Sequence, residues 1–189
     1  MIINMALAFR LFIIAIILTV PTTAYTNECP KIDQSHEEWS TILTNWASDG
    51  LVNYSALQEE GLAPLDSYLN KLSATCAVDY VKWTREQRIA FWINAYNAFT
   101  VKLIVDNYPI SSIRSIGLFP LAAFRQKFIP MPGLKGATIS LNDIEHDTLR
   151  ADFMEPRIHF ALVCASIGCP EILNVAYRAS DLDRQLDQQ

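Results

Sequence analysis

The chain has 189 residues, of which 51% are hydrophobic and 19% charged, with a formal net charge of −5. That balance is globular rather than disordered and its length suits one domain. The acidic sign and the lack of a basic cluster exclude a nucleic-acid partner, whose binding needs Lys and Arg gathered on one face.

The first segment is read as a targeting signal. Met1 to Arg10 is followed by the apolar run Leu11 to Val20, and Pro21-Thr22-Thr23-Ala24 supplies small residues at the cleavage side. The apolar run falls short of the ~20 residues that cross a bilayer, so residues 1–24 are expected to be a cleaved signal peptide and the protein to be exported. Removing them takes away Arg10 and no acid, so 15 basic residues become 14 against 20 acidic, a net charge of −6. No membrane attachment is expected after cleavage, and residues 25–189 form one domain without repeats or long linkers. An oxidising compartment permits disulfides, and Cys29, Cys76, Cys164 and Cys169 allow three fully paired connectivities.

A first helix is predicted from the capping box Ser35-x-x-Glu38, with Trp39, Ile42, Leu43 and Trp46 at helical spacing and Asp49-Gly50 as its end. Leu51-Val52-Asn53-Tyr54 reads as a short extended piece, and Leu65 to Leu72 as a second helix. Thr84-x-x-Gln87 caps the longest helix, Arg85 to about Asn107, which Pro109 stops. That helix is apolar nearly all round, which places it at the centre of the fold. Within it, Asn94 and Asn97 share one face among aromatics; buried amides need partners, so the pair is expected to clamp a loop backbone, or to orient a catalytic histidine. Prolines and glycines break residues 109–136 into turns.

Ser140-x-x-Asp143 opens a helix to Arg150 whose inward stripe is Leu141, Ile144, Thr148 and Leu149. Glu145 falls inside that stripe, and a carboxylate there must be paired or shifted in its titration; the expected partner is His159 or Arg157. His146 lies at the stripe's edge.

The dense apolar run Arg157 to Ala165 is predicted to be a core strand, with His159, Ala161, Val163 and Ala165 on one face and Phe160, Leu162, Cys164 and Ser166 on the other. Ile167-Gly168-Cys169-Pro170 is a turn that brings Cys169 back towards it. Cys164 suits a buried hydrophobe, half of a disulfide, a nucleophile or a metal ligand; Cys169, in a turn, leans further to the disulfide. The spacing His159-x4-Cys164-x4-Cys169 lacks the paired close cysteines of a structural zinc site, so no metal and no cofactor are expected. Ser180-x-x-Asp183 opens a last helix. The architecture expected is helix-rich mixed α/β (α+β), a long central helix packed on a small sheet.

Leu51 to Tyr54, Phe91 to Ala98, Tyr108-Pro109-Ile110, Ile139 to His146 and Pro156 to Pro170, taken together and in this order, resemble the DUF547 family of uncharacterised domains from about Trp39 to Leu186. The resemblance marks Asn94, Tyr96, Asn97, Glu145, His146, His159, Cys164, Cys169 and Pro170 as characteristic positions and implies no agreed activity. It also implies that family sequences continue past the helix Ser180 opens, so the domain is expected to be incomplete at its C-terminus.

Two functions follow. One is an exported cysteine-dependent hydrolase or acyl-transfer enzyme with Cys164 as nucleophile, His159 as base and Glu145 orienting the imidazole, supported by His146, Asn94, Asn97 and Cys169. The other is a non-catalytic exported domain in which these residues are buried or bridged. Partners are unknown in both.

Overall fold

A computed structural model describes residues 29–119, 121–165 and 168–189; the expected signal peptide, residues 1–24, lies outside them. The described chain is helix-rich, with two small antiparallel sheets and one long buried helix.

Helix α1, Glu37–Trp46, does not start as its capping box predicts. The Asp33 carboxylate accepts the backbone N–H groups of Ser35 at 2.9 Å and Glu37 at 3.2 Å, and His36, at φ 50, occupies the position before the helix. Glu38 is therefore released from capping and instead accepts the Ser67 hydroxyl and the Lys71 ammonium, both at 2.8 Å. The strands β1 (Ala47–Ser48) and β2 (Leu51–Val52) form a hairpin across Asp49-Gly50. Both turn residues have positive φ, the backbone that two-residue hairpin loops require.

The extended piece predicted to Tyr54 ends at Val52, because the Asn53 side chain accepts the Ala56 N–H and starts α2, Tyr54–Glu60. Helix α3 spans Leu62–Ser73, one turn longer than its sequence pattern, and a short α4, Ala77–Tyr80, follows. A disulfide from Cys29 to Cys76 ties the start of the described chain to the head of α4.

Helix α5 runs Arg85–Asn107 as predicted. Thr84 and Gln87 complete a reciprocal capping box, Gln87 N–H to Thr84 Oγ1 at 3.2 Å and Thr84 N–H to Gln87 Oε1 at 2.8 Å. From Ile89 to Val105 it is buried on nearly every side, so the domain is built around it, with α2 and α3 packed along it. A single 3₁₀ turn, Ile113–Ser115, and α6, Ala122–Arg125, lead to a second hairpin of β3 (Ile129–Met131) and β4 (Ala137–Ile139), whose connection contains α7, Pro132–Lys135. Helix α8, Leu141–Ile144, continues into a widened helical turn, Glu145–Arg150.

The strand predicted over Arg157 to Ala165 does not form. Ile158–Ala161 is a helical turn, α9; Leu162 after it is extended, and Leu162 to Cys164 join no sheet. Ile158, Ala161, Leu162 and Val163 are buried, whereas His159 and Phe160 are exposed, so the period across Ile158–Ala161 is helical. A short apolar run satisfies either pattern, and the choice is made by what it packs on. The last helix, α10, spans Leu182–Asp187 and begins beside Asp181 rather than Ser180, whose hydroxyl is bonded to the Asp181 carboxylate. No described helix is long and apolar enough to cross a membrane.

Candidate functional site

Two buried amides on α5 hold the segments around the site. Asn97 donates to the Ala161 carbonyl at 2.9 Å and accepts the Val163 N–H at 3.0 Å. One turn earlier, Asn94 donates to the Tyr177 carbonyl at 2.8 Å and accepts the Tyr177 N–H at 2.9 Å. Each side chain thus does for an unpaired extended segment what a neighbouring strand would do. Gln185 adds a third such clamp, donating to the Ala176 carbonyl and accepting the Arg178 N–H.

Immediately after the segment held by Asn97, Cys164 is joined to Cys169 in a disulfide with Cα atoms 5.9 Å apart, within the ordinary range. Both cysteines are half-buried, and Ala165 and Gly168 carry the positive φ angles that turn the loop back.

The widened turn, Glu145–Arg150, sets the opposite wall. Ser140 and Asp143 form the predicted capping box, with the Asp143 N–H on Ser140 Oγ at 3.1 Å and the Ser140 N–H on Asp143 Oδ2 at 2.8 Å. Past Ile144 the hydrogen bonding lengthens, and Thr148 Oγ1 donates to the Asp143 carbonyl five residues back. Such single-turn widenings re-aim side chains and recur at functional sites. The Glu145 carboxylate lies 3.6 Å from the Arg150 guanidinium and 3.9 Å from Nδ1 of His159, and Arg150 also reaches that nitrogen at 3.4 Å. Arg157, the other partner considered for Glu145, is instead committed to Glu155 at 2.7 Å, to Asp183 at 2.9 Å and to Asp187.

Glu145 is the partition between two clefts. One, of about 390 Å³, is lined by Tyr96, Ile113, Arg114, Leu121, Phe124, Asn142, Glu145, His146, Cys164, Gly168 and Cys169. The other, of about 480 Å³, is more apolar and is lined by Leu149, Arg150, Phe153, Met154, Ile158, His159 and Leu162, among others. Cys164, His146 and Glu145 therefore border one cavity, while His159 borders the second and also a further cleft with Gly168 and Cys169. Tyr96 is 3% exposed, and burial, reinforced by the Glu145 charge, pushes its phenol well above its ordinary titration range, so it stays a neutral donor.

Sequence reasoning singled out Tyr96 only through the family resemblance and missed Arg114 and Phe124, which lie in the turn-broken stretch 109–136, where no periodicity assigns a facing. Among the described residues, no group of three His, Cys, Asp or Glu side chains is placed to hold a metal ion.

These features define a helix-rich α/β domain in which a cysteine pair, a histidine and a glutamate border one cleft against the central helix. The chain belongs to the DUF547 family: the family model, described as a protein of unknown function, matches residues 80–189, which contain α5, the widened turn, both cysteines of the cleft and α10. No curated protein and no solved structure matches the chain.

Proposed function

We propose that this protein is an exported, thiol-dependent hydrolase or acyl-transfer enzyme, with Cys164 as nucleophile, kept in a disulfide with Cys169 until an external thiol reductant opens it. The observation that supports this reading is the cleft common to Cys164, His146 and Glu145. Export is supported by the signal-like residues 1–24 and by two disulfides, which persist in oxidising compartments.

A dithiol reduces the bridge to two thiols and leaves as its own disulfide. Cys164 then passes its proton to the His146 ring, and the thiolate attacks the carbonyl carbon of an acyl substrate. The leaving group departs with the proton held by the imidazolium, and the thioester is cleaved by water, or by an amine or alcohol acceptor, which returns the thiol. Arg150 with His159 fixes the Glu145 carboxylate in place. In this reading His159 is a positioning residue and His146 takes the base role that the sequence suggested for His159.

The test uses Cys169→Ala, which frees Cys164 without added reductant. Iodoacetamide at pH 7 is expected to label Cys164 at least about 10-fold faster than free cysteine, and His146→Asn is expected to remove that advantage. Labelling at the rate of free cysteine in Cys169→Ala overturns the thiol reading. It then favours the second reading, a non-catalytic exported domain, to which the Cys164–Cys169 bridge also lends itself.

A further inference from the structure

Three exposed apolar side chains stand together beside that cleft. Leu118 is 93% exposed, Phe119 74% and Leu121 51%, and with Arg114 and Gly117 they line a surface hollow of about 570 Å³. The backbone that carries them is held in shape: the Ala122 N–H donates to the Phe119 carbonyl at 3.0 Å and the Arg125 N–H to the Leu121 carbonyl at 3.2 Å. Gly117 opens the turn at φ 89, and a Cβ there would meet the Ala122 Cβ at 2.5 Å, so glycine is favoured on both counts. A group of large apolar side chains kept in solvent marks a surface for a partner. The charge around it identifies that partner. Between Asp106 and Asp143 the chain has four Lys or Arg and no Asp or Glu, although its net charge is −5. Other strongly exposed apolar residues have acids close by in sequence: Leu51 follows Asp49, Val78 precedes Asp79, and Met154 lies between Asp152 and Glu155.

We propose that Leu118, Phe119 and Leu121 dock this protein on a bilayer that contains anionic phospholipid. The apolar tip enters the boundary between headgroups and acyl chains, and the exposed Arg114, Arg125 and Lys127 meet the headgroup phosphates. Arg114 borders the same hollow as the tip, Arg125 is one helical turn past Leu121, and Lys127 is two residues further on. The acids that face this surface are engaged: Glu145, which shares a cleft with Arg114 and Leu121, lies 3.6 Å from Arg150, and Asp143, near Lys127, accepts the Ser140 N–H. The fourth cation, Lys135, stands over the Trp92 ring and takes no part. Net charge averages over the whole chain and argues against a bilayer; the local distribution argues for one, and the apolar tip favours lipid over a purely phosphate partner such as a nucleic acid. Because Arg114 and Leu121 also line the cleft that contains Cys164, a docked bilayer lies against the candidate site, but the docking does not depend on the thiol chemistry.

The test is vesicle flotation, on the protein as an exporting host releases it, with phosphatidylcholine vesicles made with and without phosphatidylglycerol. The wild type is expected to bind the anionic vesicles at least about 10-fold more tightly than the neutral ones, and less tightly as salt rises. Phe119→Asp should weaken that binding by about 10-fold or more, and so should Arg125→Gln combined with Lys127→Gln. Leu51→Asp, at a similarly exposed apolar position elsewhere, should bind as the wild type does. No binding, equal binding to both vesicles, binding untouched by Phe119→Asp, or an equal loss in Leu51→Asp overturns the assignment. Sedimentation velocity without lipid supplies the other arm: a dimer that Phe119→Asp dissociates overturns it too and gives the surface to a second copy of the chain. If the vesicle preference holds while Cys164 shows no enhanced reactivity, the enzyme reading falls and the docking surface stands.

Discussion

Asn97 and Val163 are joined by a hydrogen bond from the Val163 N–H to the Asn97 side-chain oxygen at 3.0 Å, one residue before the cysteine that borders the cleft. A helix side chain, and no strand, thus fixes where Cys164 sits. Substituting Asn97→Ala leaves the Ala161 carbonyl and the Val163 N–H buried and unpaired, each at a cost of about 1–3 kcal/mol. The expected loss in a urea titration is about 2–5 kcal/mol, and a loss under 1 kcal/mol would show that this clamp does not hold the segment.

The two disulfides should contribute unequally. Cys29–Cys76 spans 47 residues of sequence and Cys164–Cys169 only 5, and loop-closure entropy gives about 4 and about 2 kcal/mol respectively. The pairwise alanine variants, compared by thermal unfolding, are expected to rank in that order. The reverse order would indicate that the small loop is needed for more than closing itself.

Stability should fall in mild acid because of His36. The residue is 1% exposed; Nδ1 is hydrogen-bonded to the Tyr68 hydroxyl at 2.8 Å and Nε2 has no partner among the described residues. Burial pulls the group down from 6.5 to about 4, against the Asp33 charge that raises it and with the Arg178 charge that lowers it further. Between these values the unfolded chain binds a proton that the folded chain refuses, so stability decreases as pH drops from about 6.5 to about 4, by about 2–4 kcal/mol. Urea midpoints measured across that window should slope accordingly, and His36→Gln should flatten the slope. An unchanged slope in the variant would assign the acid sensitivity to other groups.

The two histidines around Glu145 should behave differently in Cys169→Ala. His146→Asn is expected to lower turnover of p-nitrophenyl acetate by about 100-fold or more, the size of a lost acid-base group. His159→Asn, which removes a group 3.9 Å from the Glu145 carboxylate, should lower it less than about 10-fold. The opposite ranking would return the base role to His159.

Much of the architecture was legible in the chain because it is written in local hydrogen bonds. Thr84 with Gln87 and Ser140 with Asp143 are three residues apart, and such pairs close within one helical turn whatever surrounds them. The all-round apolar surface of Arg85–Asn107 likewise permitted only a central position, and the ordered motifs from Phe91 to Pro170 carried the family. Where a local signal failed, a competitor stood nearby: Asp33 took the Ser35 N–H that Glu38 was expected to serve, and the Glu37 N–H with it.

What only tertiary structure decided is which partner each ambiguous residue meets. The run from Ile158 to Val163 is apolar enough for a strand or a buried turn, and Asn97, more than sixty positions earlier, settled it by supplying the donor and acceptor a sheet neighbour would have given. The pairing of four cysteines and the cleft that His146 comes to share with Cys164 also depend on contacts distant in sequence. Periodicity reports how a side chain faces along its own element; it holds no information about which element arrives opposite, and in this protein that arrival composes the cleft.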